Sequence, residues 1–368
     1  MQVIKLFKEL LGTQSLTPDD GGLFDRFEKM LTDFTAIRID RNGVKNLFLF
    51  KKFSEGDHLC FAGHVDVVPA GEGWDSDPFQ AVEKDGYIYG RGAQDMKSGV
   101  AAFVQAVADA KDFNGTLSLL LTSDEEGPAL DGTIAVLEYL KEHSMLPDFA
   151  VVAEPTCETQ MGDAIKIGRR GSINATLTIQ GKQGHAAYPA KVTNPVNLLA
   201  PQLVKIAGHL LDQGDDFFEP SQLVVTDIRG GMQVTNVTPN DVRIMFNVRN
   251  NTLTTIEDIQ AYLADVLKDI PYELDIAQSS RSFRTNKESK IVKHMTAAIE
   301  NICKITPKHS TAGGTSDARY LAQFEIDVVE FGVKNDTIHK VNERTTAQEV
   351  ELLYKSFTKL ISDFGKDR

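Results

Sequence analysis

The spacing of apolar residues changes along the chain, and the change separates two kinds of predicted element. Up to about residue 170, short apolar runs alternate with stretches in which apolar residues recur every three or four positions. The runs predict buried strands, and the recurring positions predict amphipathic helices. Strands are expected at 46–50, 59–62, 116–121 and 149–152, and helices at 2–12, 22–34, after Asp95 and at 133–142. This alternation predicts an α/β domain with a largely parallel sheet.

Between about residues 171 and 283, apolar and polar side chains instead alternate one by one. Ile173 to Ile179 and Val242 to Val248 are the clearest examples. A period of two with one polar face predicts antiparallel strands that are covered on one side only. We expect the cover to come from helices near 195–212 and 254–269. These residues therefore predict an inserted α+β domain.

After the insert the first pattern returns, with a helix expected at 289–301, a strand at 328–331 and a helix at 346–363. The α/β domain is therefore predicted to consist of residues 1–170 and 284–368, which residues 171–283 separate in sequence. In a sheet of this kind, binding sites form where the carboxyl ends of the strands emerge.

Composition narrows the class of protein. Hydrophobic residues make up 42% of the chain and charged residues 25%, which are values typical of globular proteins. The net charge of -13 argues against nucleic-acid binding, although local arginines can still hold an anionic substrate. No apolar run is long enough to span a membrane, and the N-terminal residues are too polar for a signal peptide. Three scattered cysteines indicate reduced thiols, so we expect a cytoplasmic protein without a membrane partner.

The first candidate for chemistry follows the strand predicted at 59–62. His64 and Asp66 are two positions apart, so they share one face of an extended strand. An imidazole beside a carboxylate indicates a metal ligand and the group that orients it. Alone, such a pair is more often a surface histidine next to an aspartate, so the interpretation depends on other residues meeting it.

Residues of metal-binding type follow predicted strands or lie in turns at five places: His64, Asp95, Glu126, Glu154 and His339. Two histidines and three carboxylates suit zinc or a similar divalent ion. Five ligands are too many for one zinc ion that keeps an open position, but they fit two ions about 3.5–4 Å apart that share a carboxylate. Asp95 is the natural bridge, because it lies in a glycine-rich turn just before a predicted helix.

Taken singly, these residues have ordinary explanations. Asp95 suits a helix N-cap, Glu154 a surface carboxylate at a strand end, and His339 a histidine in a loop. The run Asp124-Glu125-Glu126 suits a solvated acidic loop. If one of the two adjacent glutamates binds metal, however, the other points elsewhere and can take a proton from water as a general base.

Eight stretches, in order, make the chain similar to the co-catalytic zinc amidohydrolases, a family that includes aminoacylases, acetylornithine deacetylase and carboxypeptidases. They are GHVDVVPAGEGW, YGRGAQDMKSG, TSDEEGPALDGT, AEPT, GRRGS, GHAAYP, GGTSDARY and TIHKVNE. The resemblance covers residues from about 60 to 345 and is closest to the bacterial desuccinylases of the family. It implies a zinc-peptidase-like catalytic domain (1–170 and 284–368) with an inserted dimerisation domain (171–283). It also implies two Zn²⁺ per subunit, which Co²⁺ can replace, and a homodimer.

The resemblance also implies roles for single residues. His64 and Glu154 bind one zinc, Glu126 and His339 bind the other, and Asp95 bridges them. Glu125 is the general base, and Asp66 orients His64. His185 stabilises the oxyanion from the neighbouring subunit, and Asn236 assists nearby at the substrate. The residues implied to hold substrate carboxylates are Arg169, Tyr188, Arg249, Ser316 and Asn335.

The sequence around these residues supports the implied substrate-binding and oxyanion roles only in part. Arg249 ends a polar strand face, and guanidinium groups match carboxylates with two parallel hydrogen bonds. Arg169 also suits an ordinary basic turn, and His185 suits a loop histidine that packs against Tyr188 or acts within its own chain. We expect the alternating strands of the insert to pair edge to edge with a second copy, as unpaired edges readily do.

The activity implied is removal of succinate from N-succinyl-LL-2,6-diaminopimelate, in the pathway to lysine and cell-wall precursors. The alternatives within the family are an acetylornithine deacetylase or an aminoacylase-like enzyme. A non-catalytic amino-acid-binding relative is a remote alternative, and it should lack a ligand or Glu125. Val333-Lys334, beside Asn335, departs from the pattern expected of desuccinylases and bears on the acyl preference.

Overall fold

The computed structural model describes residues 2–366. These residues form two compact units. The first unit contains the described residues up to Gly168, Thr285–Ser310, and the described residues from Ser316 onward. The second unit contains Arg169–Arg284 and Thr311–Thr315. The role of the second unit in dimerisation stays a prediction.

Except for the short helix Ala318–Gln323, which the apolar spacing does not predict, the helices lie close to the predicted stretches. They are α1 (Gln2–Leu11), α2 (Leu23–Met30), α3 (Lys97–Ala108), α4 (Thr133–Glu142), α5 (Pro195–Ile206), α6 (Ile256–Val266), α7 (Lys290–Cys303), α8 (Ala318–Gln323) and α9 (Ala347–Phe364). Within residues 2–366, every helix is too short or too polar to cross a lipid bilayer. Cys60, Cys157 and Cys303 are free thiols.

The strands are more numerous than the apolar spacing predicts. They are β1 (Thr35–Arg38), β2 (Asn46–Lys52), β3 (Asp57–His64), β4 (Val82–Lys84), β5 (Tyr87–Tyr89), β6 (Gly115–Thr122), β7 (Phe149–Val152), β8 (Ala164–Lys166), β9 (Gly168–Arg169), β10 (Ser172–Gln180), β11 (Gly184–His185), β12 (Leu223–Gly230), β13 (Val237–Thr238), β14 (Asp241–Val248), β15 (Tyr272–Ser280), β16 (Phe283–Arg284), β17 (Lys308–Ser310), β18 (Asp327–Glu330) and β19 (Arg344–Thr345).

The first unit is built on an eight-stranded sheet with the order β1-β2-β6-β3-β7-β18-β8-β17. Its four inner strands, from β6 to β18, are parallel, whereas β1 and β2 add antiparallel strands at one edge. Phe61 of β3 lies 6.0 Å from the ring of Phe103 in α3 and 5.3 Å from that of Phe357 in α9. One face of the sheet therefore packs against these helices, and consecutive buried residues in β3 and β6 show that both faces are covered. The predicted α/β class with a mostly parallel sheet is confirmed.

The second unit contains a four-stranded antiparallel sheet with the order β12-β14-β10-β15. The apolar residues of β10 and β14 face one side, where they form a buried core with Leu199 and Ile206 of α5 and Ile259 and Leu263 of α6. The other side carries polar residues such as Asn174 and Thr176. The prediction of an antiparallel sheet that two helices cover on one side is confirmed.

Two details of the second unit differ from the predictions. The strands predicted from strict alternation, β10 and β14, are the inner pair, so each already has neighbours on both sides. They cannot pair edge to edge with a second copy, and β12 and β15 are the edges instead. In addition, the helix expected to reach residue 212 ends at Ile206, because Ala207 is extended and Gly208 adopts a positive φ of 79°.

Candidate active site

Three of the predicted ligands follow neighbouring parallel strands of the first unit. His64 is the last residue of β3, Glu126 lies in the turn after β6, and Glu154 follows β7. Because β6, β3 and β7 are adjacent and parallel, their carboxyl ends place these three residues at one edge of the sheet. Asp95 lies in the turn before α3, and His339 lies in the loop between β18 and β19.

The structure brings all five predicted ligands together. His64 Nε2 lies 3.2 Å from Asp95 Oδ1 and 3.7 Å from Glu154 Oε1. His339 Nε2 lies 3.4 Å from Asp95 Oδ2 and 3.1 Å from Glu126 Oε1. Asp95 therefore directs one carboxylate oxygen to each histidine, which is the arrangement that a bridging ligand requires.

Two overlapping groups of side chains in residues 2–366 have ligand atoms within 4.8 Å of one another. One contains His64, Glu125 and Glu154, and the other contains His64, Asp95 and Glu126. The donor set of imidazole nitrogen and carboxylate oxygen fits a divalent metal ion. Glu125 Oε2 is 4.0 Å from His64 Nε2, so this glutamate lies beside the ligands.

The electrostatics of the site also fit a bound cation. Burial raises the pKa of Glu125 to about 8; His64 opposes this, and Asp317 and Asp95 add to it. Burial likewise raises the pKa of Glu154 well above its usual range, with Asp95 and Glu125 as further causes. Asp95 and Glu126 raise the pKa of His339 to about 10. Carboxylates held this close disfavour their shared negative charge, and a metal ion would relieve that cost.

His64 is held in an orientation that leaves one nitrogen for a metal. Its Nδ1 lies 2.9 Å from the backbone carbonyl oxygen of Asp66, whereas the nearer carboxylate oxygen of Asp66 is 3.5 Å away. A carbonyl oxygen only accepts, so Nδ1 donates to it, and Nε2 is the nitrogen that faces Asp95 and Glu154 and could bind a metal. The nearer contact that orients His64 is therefore to the backbone of Asp66 rather than to its carboxylate.

The carboxylate of Asp66 has a second task. Its two oxygens accept hydrogen bonds from the backbone N–H of Glu126 at 3.1 Å and of Glu125 at 3.4 Å. Asp66 is fully buried, so these contacts are shielded from solvent. The residue thus fixes the turn that carries both glutamates, a role that two-residue spacing in a strand does not reveal.

Glu343 is a residue of the site region that the sequence reasoning missed. It is fully buried and its carboxylate accepts hydrogen bonds from Arg91 and from the backbone of the turn that carries Asp95. It lies in the stretch TIHKVNE, which also carries His339. No local sequence pattern indicates this role, because Arg91 lies 252 positions away in the chain and the other partners are backbone groups.

Ser316 and Asn335, the predicted substrate residues of the first unit, form hydrogen bonds with other groups of the protein. Ser316 is fully buried and donates a hydrogen bond to Glu330 Oε1 at 2.7 Å. The backbone N–H of Asn335 donates to the carbonyl oxygen of Cys157 at 3.1 Å. Lys334 Nζ lies 3.0 Å from Glu349 Oε1 in the first turn of α9, so its charge has a partner within the fold.

The remaining predicted residues lie in the second unit. His185 in β11 is exposed and packs edge-on against the ring of Tyr188 at 5.7 Å, as the simpler interpretation expects. The backbone carbonyl of Asn236 accepts from the N–H of Ala186 at 2.9 Å, so these residues share one small ribbon of β11 and β13. Arg169 is buried, with Nη1 3.3 Å from the carbonyl oxygen of Gly314, and Arg249 is exposed just after β14.

Comparison with known proteins places this geometry in a family. The model of peptidase family M20/M25/M40 matches residues 60–363. A succinyl-diaminopimelate desuccinylase of Sulfurimonas denitrificans is 65% identical over 361 residues, which cover 98% of this chain and 99% of that protein. A succinyl-diaminopimelate desuccinylase of Nitratiruptor sp. is 59% identical over 364 residues, covering 99% of this chain and 100% of that protein.

Solved structures share the fold at low sequence identity. Aminopeptidase PepT from Bacillus cereus superposes with a TM-score of 0.79 at 21% identity, covering 99% of this chain and 98% of that one. The YXEP protein of Bacillus subtilis, described as a dinuclear metal binding peptidase, gives a TM-score of 0.72 at 14% identity with 99% and 98% covered. The family model and the full-length relatives confirm the resemblance of the eight stretches, and the chain belongs to peptidase family M20/M25/M40.

Proposed function

We propose that this protein is a two-metal amidohydrolase that converts N-succinyl-LL-2,6-diaminopimelate into succinate and LL-2,6-diaminopimelate. The observation that carries the proposal is the position of Asp95, which directs one oxygen to His64 and the other to His339. The substrate follows from the name of relatives that are 56–65% identical over nearly the full chain. The reaction belongs to lysine and cell-wall precursor synthesis, and we place it in the cytoplasm.

The metal ions are proposed to be zinc, with cobalt as a substitute. His64 and Glu154 would hold one ion, Glu126 and His339 the other, and Asp95 both. Bound there, the pair supplies Lewis acidity toward the amide carbonyl and makes water a better proton donor. The clustered carboxylates and the direction of His64 Nε2 toward Asp95 and Glu154 support this assignment.

Glu125 is proposed as the general base. Its carboxylate takes the proton from the water that attacks the amide carbon, and it returns that proton to the departing nitrogen. Asp66 holds the backbone N–H groups of both glutamates, whose side chains reach different histidines. Glu125 lies 4.0 Å from His64 and Glu126 lies 3.1 Å from His339. A base role for Glu125 and a ligand role for Glu126 fit the geometry better than one role shared by both glutamates.

The substrate carries a succinyl carboxylate in addition to those of its amino-acid ends. Arg169 and Arg249 supply guanidinium groups that match carboxylates, and Tyr188, Ser316, Asn236 and Asn335 are the proposed polar partners. Because an acetyl group lacks the extra carboxylate, this set favours the succinylated substrate over acetylornithine. Lys334 is paired with Glu349, so it does not add a free charge beside Asn335.

The deciding experiment loads purified protein with zinc and compares N-succinyl-LL-2,6-diaminopimelate with N-acetylornithine. We expect kcat/KM to favour the succinylated substrate, zinc content to approach two ions per chain, and chelation to abolish turnover. Preference for acetylornithine would overturn the substrate assignment while leaving the family intact. Full activity without bound metal would overturn the two-metal mechanism.

The active assembly is proposed to be a homodimer formed through the second unit. On α5, the exposed side chains of Val196, Ala200 and Val204 recur at helical spacing, and Val204 is 82% exposed. β12 is an edge strand of the four-stranded sheet in the second unit, and its Ile228 side chain is exposed. An apolar helix stripe and an open strand edge in the same unit support burial against a second copy.

In this assembly, His185 is proposed to act on the substrate of the partner subunit. It would donate a hydrogen bond to the oxyanion that forms when water attacks the amide carbonyl. The exposure of His185 supports the proposal, since its imidazole is accessible to a neighbour. Action within its own chain is the competing arrangement.

A further inference from the structure

Two segments of the first unit carry proposed ligands and are fastened to each other. We call residues 90–95 the Asp95 turn and residues 336–343 the His339 loop. The backbone N–H of Gly90 donates to the carbonyl oxygen of Glu343 at 3.0 Å. Neither β3 nor β6, which deliver His64 and the two glutamates, contains these segments. The relative position of Asp95 and His339 therefore depends on the contacts between the turn and the loop.

The carboxylate of Glu343 makes most of these contacts. Its Oε2 accepts from Arg91 Nη1 at 2.7 Å and from the backbone N–H of Gly92 at 3.0 Å. Its Oε1 accepts from the backbone N–H of Gln94 at 2.8 Å and of Asp95 at 3.1 Å. All four partners are donors, so both oxygens must be acceptors, and only a carboxylate meets that requirement.

Gln94 joins the same two segments from the other side: it belongs to the Asp95 turn, and its side chain contacts the His339 loop. Its Nε2 donates to Asp336 Oδ1 at 2.6 Å, and its Oε1 accepts from the backbone N–H of Thr337 at 2.8 Å. Gln94 is buried, so the side-chain amide is held away from competing water. Side chains from each segment thus bind the backbone or side chains of the other.

His339 depends on this support more than the other ligands do. It has a positive φ of 58°, which a residue other than glycine adopts only when surrounding contacts favour it. Its side chain is half exposed, so packing alone does not fix the imidazole. Thr337 closes the base of the loop, because its hydroxyl accepts from the backbone N–H of Arg344 at 3.2 Å.

We infer that Glu343 is a positioning residue that sets the spacing between Asp95 and His339. Through the backbone of the Asp95 turn, it holds the shared carboxylate at the correct distance from the imidazole of its own loop. It thereby forms the proposed second metal site, which consists of Glu126, Asp95 and His339. This inference rests on the proposed two-metal function and assigns no contact between Glu343 and the substrate.

The test titrates zinc into metal-free Glu343→Gln protein and measures each zinc affinity by calorimetry. The amide keeps the size of the side chain but presents N–H groups to donors that need an acceptor. Zinc affinity at the proposed site of Glu126, Asp95 and His339 should fall by about 10–100-fold, the loss typical when a partner behind a metal ligand is removed. Affinity at the other site should fall less, because His64 ends β3 and Glu154 follows β7, so neither lies in the Asp95 turn or the His339 loop.

The matched control is Asp212→Asn in the second unit. Asp212 also accepts backbone N–H groups, from Gly214 at 2.7 Å and Ser221 at 3.2 Å. This variant should lose thermal stability and keep both zinc affinities. A zinc-affinity loss as large in Asp212→Asn as in Glu343→Gln would overturn the positioning role, since it would reflect general destabilisation.

A second variant covers the case in which Glu343→Gln does not fold. Gln94→Leu removes the other half of the fastening and leaves all contacts of Glu343 in place, so it should weaken the same zinc site by a smaller factor. Folded variants that bind two zinc ions with wild-type affinity would overturn the inference. Wild-type protein that binds fewer than two zinc ions would overturn the proposed function instead, so the two failures are distinct.

Discussion

Glu125 offers the sharpest prediction for a single residue. Glu125→Gln preserves size and removes the ability to take a proton from water. We expect kcat to fall by at least about 10²–10⁴-fold, the contribution typical of a general base, while zinc content stays near two ions per chain. Steady-state kinetics and elemental analysis of the same preparation measure both quantities.

The control for this substitution is Glu142→Gln, at the exposed end of α4. It makes the same chemical change at an exposed residue that has no proposed role in the site, so it should leave kcat unaltered. Near-normal turnover of Glu125→Gln would transfer proton abstraction to another group. Loss of zinc from Glu125→Gln would show instead that Glu125 serves as a ligand, as its distance of 4.0 Å from His64 Nε2 allows.

Many single residues of the site were predictable from sequence, because residue type and a position just after an apolar strand together indicate a ligand. His64, Glu126 and Glu154 are examples, since parallel strands bring their carboxyl ends together. Asp66 shows the limit. Its neighbours in sequence predict a contact with His64, but only the folded turn reveals that its carboxylate binds the backbone of Glu125 and Glu126. Glu343 was missed for the same reason, since all its partners lie distant in sequence or are backbone groups.

At the scale of elements, α3 must approach the end of β7 closely. A side-chain carbon at Gly99 would lie 2.3 Å from the carbonyl oxygen of Ala153 and 2.6 Å from its Cβ. The obstacle is mainly backbone, which cannot move aside without displacing the neighbouring Glu154. The close packing of helix and strand therefore fixes one proposed ligand.

Gly99→Ala should consequently lower the free energy of unfolding by about 1–3 kcal/mol, the usual cost of overpacking a core. It should also weaken zinc binding at the site that contains Glu154. Gly314→Ala is the control, because no atom lies within 4 Å of its added carbon. Denaturant unfolding and zinc titration separate the two effects. If Gly99→Ala proved as stable as wild type, the helix would have room that the structure does not show.

Helices and strands were predictable where the apolar pattern continues over many residues. For α4, residues 133–142 were expected and Thr133–Glu142 are observed. Strands of two or three residues, such as β11 and β19, are too short to show a period. The edge strand β12 was missed for a different reason, because exposed Val224 and Ile228 obscure the alternation. The position of β10 and β14 inside their sheet follows from pairing partners, which no local pattern encodes.

For the whole molecule, the apolar stripe on α5 predicts the oligomeric state. Val204→Glu places a charge at the most exposed position of the stripe and should convert a dimer into a monomer, since a charge buried at an apolar interface is costly. Leu130→Glu is the control, because Leu130 is 65% exposed in the first unit and outside the stripe. Sedimentation velocity at micromolar concentration distinguishes the forms. A Val204→Glu protein that remains dimeric would place the interface elsewhere.

A mixed dimer tests whether the active site is shared between subunits. Co-expression of Glu125→Ala with His185→Ala combines two inactive parents. If His185 acts in trans, one site of the mixed dimer inherits both defects and the other inherits an intact Glu125 and an intact His185. About half of the wild-type activity per dimer should then return. Purified mixed dimer without activity, from parents that fold and bind zinc, would assign His185 to its own chain.

The order of strands in the central sheet has a consequence for synthesis of the chain. β18 occupies an inner position beside β7, although Asp327–Glu330 lie near the end of the chain and Phe149–Val152 near its middle. While the ribosome makes the residues between them, the apolar edge of β7 has no strand on that side. Such an edge pairs readily with other chains. Messages truncated before residue 327 should therefore yield aggregates, because β18 is the strand that pairs with this side of β7.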